Sequence, residues 1–449
     1  MQDNQNLKNH DEQAKIFKVL EKNLHIENDY SIGSLVHFQN AQQTPIQRWY
    51  PYREGYSIEL VNRFIKELDI TGNIFDPFVG SGTTLLSAKE NNLNSFGIDI
   101  NPISVLVAKV ENEMYQENDI QNLQLEITKI ILLEETNNEF KTSFNLADKV
   151  FNKDILNNLL YIKSHIRNIE NIKLQNLIFV AWLSIIEEVS NIKKEGNGIK
   201  YKNRKRTKTG YINIDKEKWE EQTFPKNKFS FVKNKLLEKL SIILLDLKEN
   251  YVIKNCKSNI IWGNCLKFDS YFTNEIQFTF YSPPYCNCFD YFEIHKVELW
   301  LGDFVKNKDE LNKIRNCGFR SNTNSLNNKD INYRNEYLEK LISLIEVEKL
   351  WNKKIPEVIR GYFDDTHTLL NKLYHHTTSD GYVGIVVGNS AYTGVIIPTD
   401  ILICNIAKEI GFKVEKVYIT RHLTTSSQQK KALEKLKYFL RESVIILKK

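Results

Sequence analysis

The chain has 449 residues, 41% of them hydrophobic and 26% charged, with a formal net charge of only +5. That length and apolar content can build one large domain or two ordinary ones around a substantial core, and only six cysteines in so long a chain exclude a disulfide scaffold. The longest apolar run, residues 177–186, is half of the roughly 20 residues a bilayer span requires and is followed at once by Glu187 and Glu188, so it predicts a buried helix and no membrane association.

Residues 1–45 are polar, and Ile16, Phe17, Val19 and Leu20 predict one short helix there, with no chemistry assigned to it. The N-terminus lacks the apolar core of a signal peptide, so a cytoplasmic protein is expected. From Pro45 the aromatic density rises through Trp49, Tyr50, Tyr52 and Tyr56, after which Ser57 caps a helix with the apolar face Leu60, Val61, Phe64, Ile65 and Leu68. Ile74 and Phe75 then read as a buried parallel strand ending at Asp76, and Gly80 and Gly82 allow a tight turn into a helix that opens at Thr83. Strand, glycine turn and helix form a ligand-binding unit. Its second strand should end, about 20 residues on, in an acid that hydrogen-bonds ribose hydroxyls, and Asp99 stands there. The turn has neither the lysine of a phosphate-binding loop nor the third glycine of a dinucleotide fingerprint, so it suits a nucleoside with little phosphate charge.

Asn101 as N-cap and Pro102 in the first position predict a helix over 103–114. Residues 119 to 250 show helical periodicity over 123–133, 155–169, 174–189 and 231–247 without strand alternation, an insertion too long for a crossover. Inside it lie Lys193, Lys194, Lys200, Lys202, Arg204, Lys205, Arg206 and Lys208 against Glu195 alone, more positive charge than the whole chain carries net. Gly196, Gly198 and Gly210 around this run predict a flexible loop, and Lys200, Lys202, Arg204, Lys205 and Arg206 are candidates for contact with a polyanion.

The sheet resumes at 259–262, just before Asn264, and a strand over 276–281 leads into Ser282-Pro283-Pro284-Tyr285. A double proline cannot continue a ladder, so this tetrapeptide must lie past the strand end, on the carboxyl edge where open α/β sheets bind ligands. A helix over 293–300 follows, then a polar stretch through Arg315, Arg320, Ser321 and Asn322, whose Arg and Asn side chains are of the types that read base edges and equally those that ordinary loops contain. Helices are expected over 334–351 and 356–376. His375 and His376 at the second helix end suit cationic capping, and no cysteine or histidine spacing here suits a metal. The apolar run 381–388 predicts a central strand, 398–410 a crossover helix, and 414–419 and 444–447 the last strands, joined by a segment from Arg421 that is too long for a tight turn.

Asp76-Pro77-Phe78-Val79-Gly80-Ser81-Gly82-Thr83-Thr84 resembles the S-adenosylmethionine motif of the amino-group DNA methyltransferases, and Ser282-Pro283-Pro284-Tyr285 resembles their catalytic tetrapeptide, in the form typical of N4-cytosine enzymes. The resemblance implies an α/β, Rossmann-like methyltransferase fold: a mostly parallel sheet, its last strand antiparallel, with a large helical insertion. A cofactor half, 46–118, would precede a catalytic half, 256–449, with target recognition in the insertion 119–255 or in 286–380. S-adenosylmethionine would be held by Asp76, Phe78, Gly80, Gly82, Thr83, Asp99, Asn101 and Asn264, the last standing where the family commonly has Asp, with the segment before the glycine turn folded over the methionine end. Ser282, Pro283, Pro284 and Tyr285 would act on a cytosine flipped out of double-stranded DNA, in a modification enzyme whose cognate restriction endonuclease acts separately. Adenine N6 is the nearer alternative, because the same loop accepts either exocyclic amine. An RNA methyltransferase and a non-catalytic nucleic-acid-binding protein on this fold are the others, and the intact Asp76, Asp99 and tetrapeptide speak against the last. Cytosine C5 methylation by the known DNA route needs a cysteine after a proline, and none of the nine prolines is followed by one.

Overall fold

A computed structural model describes residues 2–37, 43–195, 198–208, 210–249, 255–326, 330–424 and 433–449. The strands in chain order are β1 (Ile26–Asn28), β2 (Ile74–Asp76), β3 (Ser95–Asp99), β4 (Ile192–Glu195), β5 (Gly198–Tyr201), β6 (Arg204–Thr207) and β7 (Gly210–Asn213), followed by β8 (Ser258–Trp262), β9 (Ile276–Tyr281), β10 (Thr377–Gly388), β11 (Ser390–Tyr392), β12 (Val395–Ile397), β13 (Lys413–His422) and β14 (Arg441–Lys448). Eight of them form one sheet in the order β1-β13-β14-β10-β9-β2-β3-β8, in which β14 alone runs antiparallel to its neighbours. This is the Rossmann-like arrangement the sequence implied. Apolar runs such as Ile276–Tyr281 are buried because helices cover both faces of the sheet.

The strand order reverses between β2 and β9. From β2 the chain proceeds outward through β3 to β8, and from β9 outward through β10, so the loops after β2 and β9 diverge and leave a crevice between them. The glycine turn follows β2 and the Ser-Pro-Pro-Tyr segment follows β9. Topology alone therefore brings together two motifs some 200 residues apart.

The insertion is built on helices Glu117–Ile131, Lys153–Arg167, Ile172–Ser184 and Lys228–Glu249, which share a core with Phe179, Trp182, Leu236 and Leu240. The apolar run 177–186 is largely the buried helix expected. The expectation that this region lacks strands and that its basic run is a flexible loop is corrected: the run folds into two antiparallel hairpins, β4–β5 and β6–β7. Each strand is only four residues long, too short for alternation to stand out, although β4 does alternate, with Ile192 and Lys194 buried and Lys193 and Glu195 exposed. Gly196, one of the glycines that suggested a loop, lies outside the described residues.

Three further differences concern local elements. The N-terminal helix is far longer than the apolar cluster suggested, Gln2–Glu21, and β1 after it joins the central sheet beside β13. Gln13 explains the tether, since its amide donates to the Gly394 carbonyl and accepts from Ile396 N–H, clamping the β11–β12 hairpin. The helix expected over 293–300 is two short ones, Tyr291–Ile294 and Lys296–Leu301, and that over 334–351 shrinks to Glu336–Ser343. Of the long connection before β14, residues 425–432 lie outside the described residues. Among those described, no helix is long and apolar enough to cross a membrane.

Candidate active site

Asp76 ends β2 at 1% exposure. Its Oδ1 accepts from Phe78 N–H at 2.9 Å and its Oδ2 from the Tyr56 hydroxyl at 3.2 Å, which pins the turn from behind. Burial pushes this carboxyl up to about 7. Gly80 and Gly82 take φ of +52° and +95°, the left-handed region in which a side chain is strained. The turn is then tied to β3, because Gly80 N–H donates to Asp99 Oδ2 at 3.0 Å and Asn101 N–H to Asp99 Oδ1 at 2.8 Å. Burial raises the Asp99 carboxyl to about 6, with these backbone donors acting against the rise. A carboxylate has about four lone-pair sites. Asp99 thus fixes the turn and keeps acceptor capacity for a ligand.

Asn101 and Asn264 both cap helices with their side-chain oxygens, accepting from Ile103 N–H at 3.0 Å and Leu266 N–H at 2.8 Å. Both residues line the cavity. On the opposite wall Ser282, Pro283, Pro284 and Tyr285 leave the end of β9. The Tyr285 hydroxyl donates to Glu442 Oε1 at 2.6 Å, and Glu442, 2% exposed, is held by Arg421 Nε at 2.6 Å. Burial and then Glu442 push the Tyr285 phenol far above its ordinary range. Its ring lies against Gly388, where a Cβ would come within 2.7 Å.

Phe78, Gly80, Thr83, Asp99, Asn101, Asn264 and the whole tetrapeptide line one cavity of about 320 Å³. Asp76 and Gly82 stand behind it. Gly82 lets helices Thr83–Glu90 and Pro102–Asn112 approach closely, since a Cβ there would collide with the Asn112 amide and touch Ala108. The aromatic segment supplies a further wall that the residue-by-residue reading left unassigned: Tyr52, Glu54 and Tyr56 line the cavity, with Tyr52 stacked on His295 at 5.7 Å between centroids. Glu54 Oε2 is buried without a hydrogen-bond partner among the described residues, and burial raises its carboxyl above the usual range. The cavity is thus lined by two buried carboxyl groups, those of Asp99 and Glu54. The signals for this wall were the rise in aromatic density and the resemblance, which implied that the segment before the glycine turn folds over the ligand. Glu442 and Arg421 had none, because they reach the tetrapeptide from the last two strands.

The five basic candidates do not line this cavity. Lys202 donates to the carbonyls of Glu187 at 2.6 Å and Ser190 at 2.9 Å and so braces the hairpins, whereas Lys200, Arg204, Lys205 and Arg206 are exposed. The base of the hairpins abuts the cavity wall: Arg53 donates to the Lys194 carbonyl and pairs with Glu187 at 2.9 Å, and Lys194 forms a buried ion pair with Glu298 at 2.5 Å. Arg315 and Arg320 are not solvent-facing base readers. Arg315 pairs with Asp290 and Glu293 at 7% side-chain exposure, and Arg320 at 3% with Asp364 and Asp365.

Residues 3–109 match the model of a family described as DNA methylase, of the N6/N4 type. Over 455 aligned residues the chain is 29% identical to the Type II methyltransferase M.BsoBI of Geobacillus stearothermophilus, which covers 93% of this chain and 89% of that protein. It is 27% identical to the Type II methyltransferase M.AvaI of Nostoc sp., over 86% of this chain and 83% of that one. A shorter segment of 107 residues is 41% identical to the Type II methyltransferase M.MjaII of Methanocaldococcus jannaschii, 24% of this chain and 19% of that protein.

Proposed function

Because the chain belongs to the amino-group DNA methyltransferases, with S-adenosylmethionine as methyl donor, we propose that it methylates the N4 amine of a flipped cytosine as the modification enzyme of a Type II restriction-modification system. The observation that carries this reading is the meeting of Gly80, Asp99 and Ser282–Tyr285 in one cavity at the point where the strand order reverses. The serine at the head of the tetrapeptide is what favours cytosine over adenine.

The cavity suits the cofactor: Asp99 offers acceptors for ribose hydroxyls, the Asn101 and Asn264 amides flank the place for a base, and the orphan Glu54 Oε2 meets a cationic amine. Bound there, S-adenosylmethionine supplies a methyl group on a sulfonium sulfur. The protein must do the rest. An exocyclic amine is a weak nucleophile because its lone pair is delocalised into the ring, so acceptors must hold its N–H groups as the nitrogen becomes tetrahedral and positive. Ser282 Oγ and the Pro283 carbonyl, beyond the end of the β9 ladder, take that role. The Tyr285 ring, backed by Gly388 and fixed through Glu442, gives the flipped base a flat face to stack on.

Replacing Asp99 by Ala should weaken S-adenosylmethionine binding by about 10- to 150-fold, the value of about 1.5–3 kcal/mol for a hydrogen bond to a charged group. Calorimetric titration checks this, and unchanged affinity would remove Asp99 from the site. The pH dependence has a definite sign. Ribose hydroxyls donate to the ionised carboxylate, so affinity should be level above pH 7 and fall by up to about tenfold per unit below about 6, where Asp99 takes up a proton. Asp99→Asn should abolish the step at that pH. Mass spectrometry of nucleosides from DNA and RNA of expressing cells tests the function itself. N4-methylcytosine in DNA is the expected product, N6-methyladenine would reassign the base while keeping the mechanism, and methylation of RNA alone would overturn the reading.

A further inference from the structure

The β6–β7 hairpin is a two-stranded ribbon standing clear of the core. Arg204, Lys205 and Arg206 on β6 and all of β7 are exposed, including Tyr211 at 52% and Ile212 at 58%. An isolated hairpin is marginal in water, yet this one leaves an aromatic and an aliphatic side chain on opposite faces uncovered. Its base is rigid. Asn203 N–H donates to Asn191 Oδ1, the Asn191 amide donates back to Asn203 Oδ1, and the Asn203 amide closes on the Ile214 carbonyl. No acidic residue occurs between Gly198 and Ile214. A ribbon anchored at its base, with three basic side chains on one strand, no acidic one, and both faces bare is shaped to be covered by a polyanion.

The register divides it chemically. Arg204 pairs with Asn213 and Arg206 with Tyr211, so these four side chains share one face, while Lys205, Thr207 and Ile212 share the other. Arginine and asparagine are the side chains that bind guanine and adenine edges bidentately, whereas lysine suits phosphate as a point charge. Arg204 lies over the Tyr211 ring at 4.3 Å, which leaves Arg206 and Asn213 as the readers on that face. Two strands about 4.8 Å apart with their side chains fit a major groove about 12 Å wide. The ribbon's base is tied through Asn203 and Asn191 to the β4–β5 hairpin, and β5 of that hairpin packs on helix Tyr291–Ile294, whose Tyr291 and Phe292 line the cavity.

We infer that the β6–β7 ribbon enters the major groove of the DNA substrate beside the flipped base, with Arg206 and Asn213 reading base edges and Lys205 contacting phosphate. This rests on the chain acting on double-stranded DNA. The test maps every methylated base by single-molecule sequencing of DNA treated with the full-length protein and its Arg206→Ala, Asn213→Ala and Lys205→Ala variants, with cofactor affinity and the salt dependence of DNA binding measured alongside. Arg206→Ala and Asn213→Ala should each relax the recognised sequence at one position, discrimination there falling about 5- to 150-fold, with cofactor affinity unchanged. Lys205→Ala should keep the site spectrum and lower the salt slope by about 0.9. A variant that keeps cofactor affinity but loses sequence-specific binding altogether also supports the assignment. Replacing residues 204–213 by Gly-Gly-Ser guards against compensation. If that protein methylates the same sites with the same discrimination and salt slope, the ribbon is not the reader. Failure of the unmodified protein to methylate DNA at all would instead remove the functional reading beneath it.

Discussion

Tyr285→Ala is expected to lower DNA methylation by about 5- to 150-fold while leaving S-adenosylmethionine affinity where it was. Base stacking on an aromatic ring contributes roughly 1–3 kcal/mol, and the Tyr285 ring is already positioned by contact with Gly388 and by its hydroxyl bond to Glu442 at 2.6 Å. Removing the ring takes away a surface needed only when DNA is bound. Tyr285→Phe separates the two contributions, because it keeps the ring and removes the bond to Glu442, which Arg421 still neutralises. It should cost transfer only a few-fold, because the stacking ring remains and the lost bond to the Glu442 carboxylate, about 1.5–3 kcal/mol, is present with and without DNA and so falls on stability. Ser282→Ala should lower the rate of transfer more than it changes DNA affinity. Initial rates of radiolabelled methyl transfer, beside calorimetric titration of the cofactor, decide the matter. Near-normal rates for Tyr285→Ala and Ser282→Ala would leave the tetrapeptide a structural turn.

Gly82→Ala and Gly80→Val should fail in different ways, although the two glycines are neighbours in one turn. At Gly82 a Cβ meets the Asn112 amide and comes within 3.1 Å of the Ala108 Cα, and φ is +95°. Overpacking costs about 1–3 kcal/mol and a left-handed non-glycine residue about 1–2 kcal/mol more, so Gly82→Ala should destabilise the protein by roughly 2–5 kcal/mol. At Gly80 the Cβ meets the Tyr52 ring at 3.0 Å, a side chain that can move. A β-branched residue at a φ of +52° is strained, and the displaced Tyr52 belongs to the cavity wall. Gly80→Val should therefore remain folded more often than Gly82→Ala but lose cofactor binding by more than Asp99→Ala does. Denaturant titration read against cofactor titration distinguishes the two outcomes, and equal loss of stability in both variants would contradict the assignment of Gly82 to helix packing and Gly80 to the site.

The contrast between these glycines marks a boundary in what a sequence expresses. That the turn needs glycine, that Asp76 and Asp99 end strands, that Asn101 and Pro102 open a helix and that Ser282–Tyr285 must leave a strand are all consequences of backbone sterics within a few residues, and they were legible. The parallel sheet was legible too, because uninterrupted apolar runs are stable only when both faces are covered. What each glycine packs against was not, since Tyr52 and Asn112 meet them from other elements. The hairpins in the basic run escaped notice because strand pairing is a relation between segments and four residues carry too little alternation. Arg315 and Arg320 had the composition of a base-reading surface, and only the fold placed Asp290, Asp364 and Asp365 where the guanidinium groups had to be neutralised to be buried. Glu442 reaches Tyr285 across 157 positions, and such a contact depends on the register of β14 against β10, which long-range packing sets and no local pattern contains.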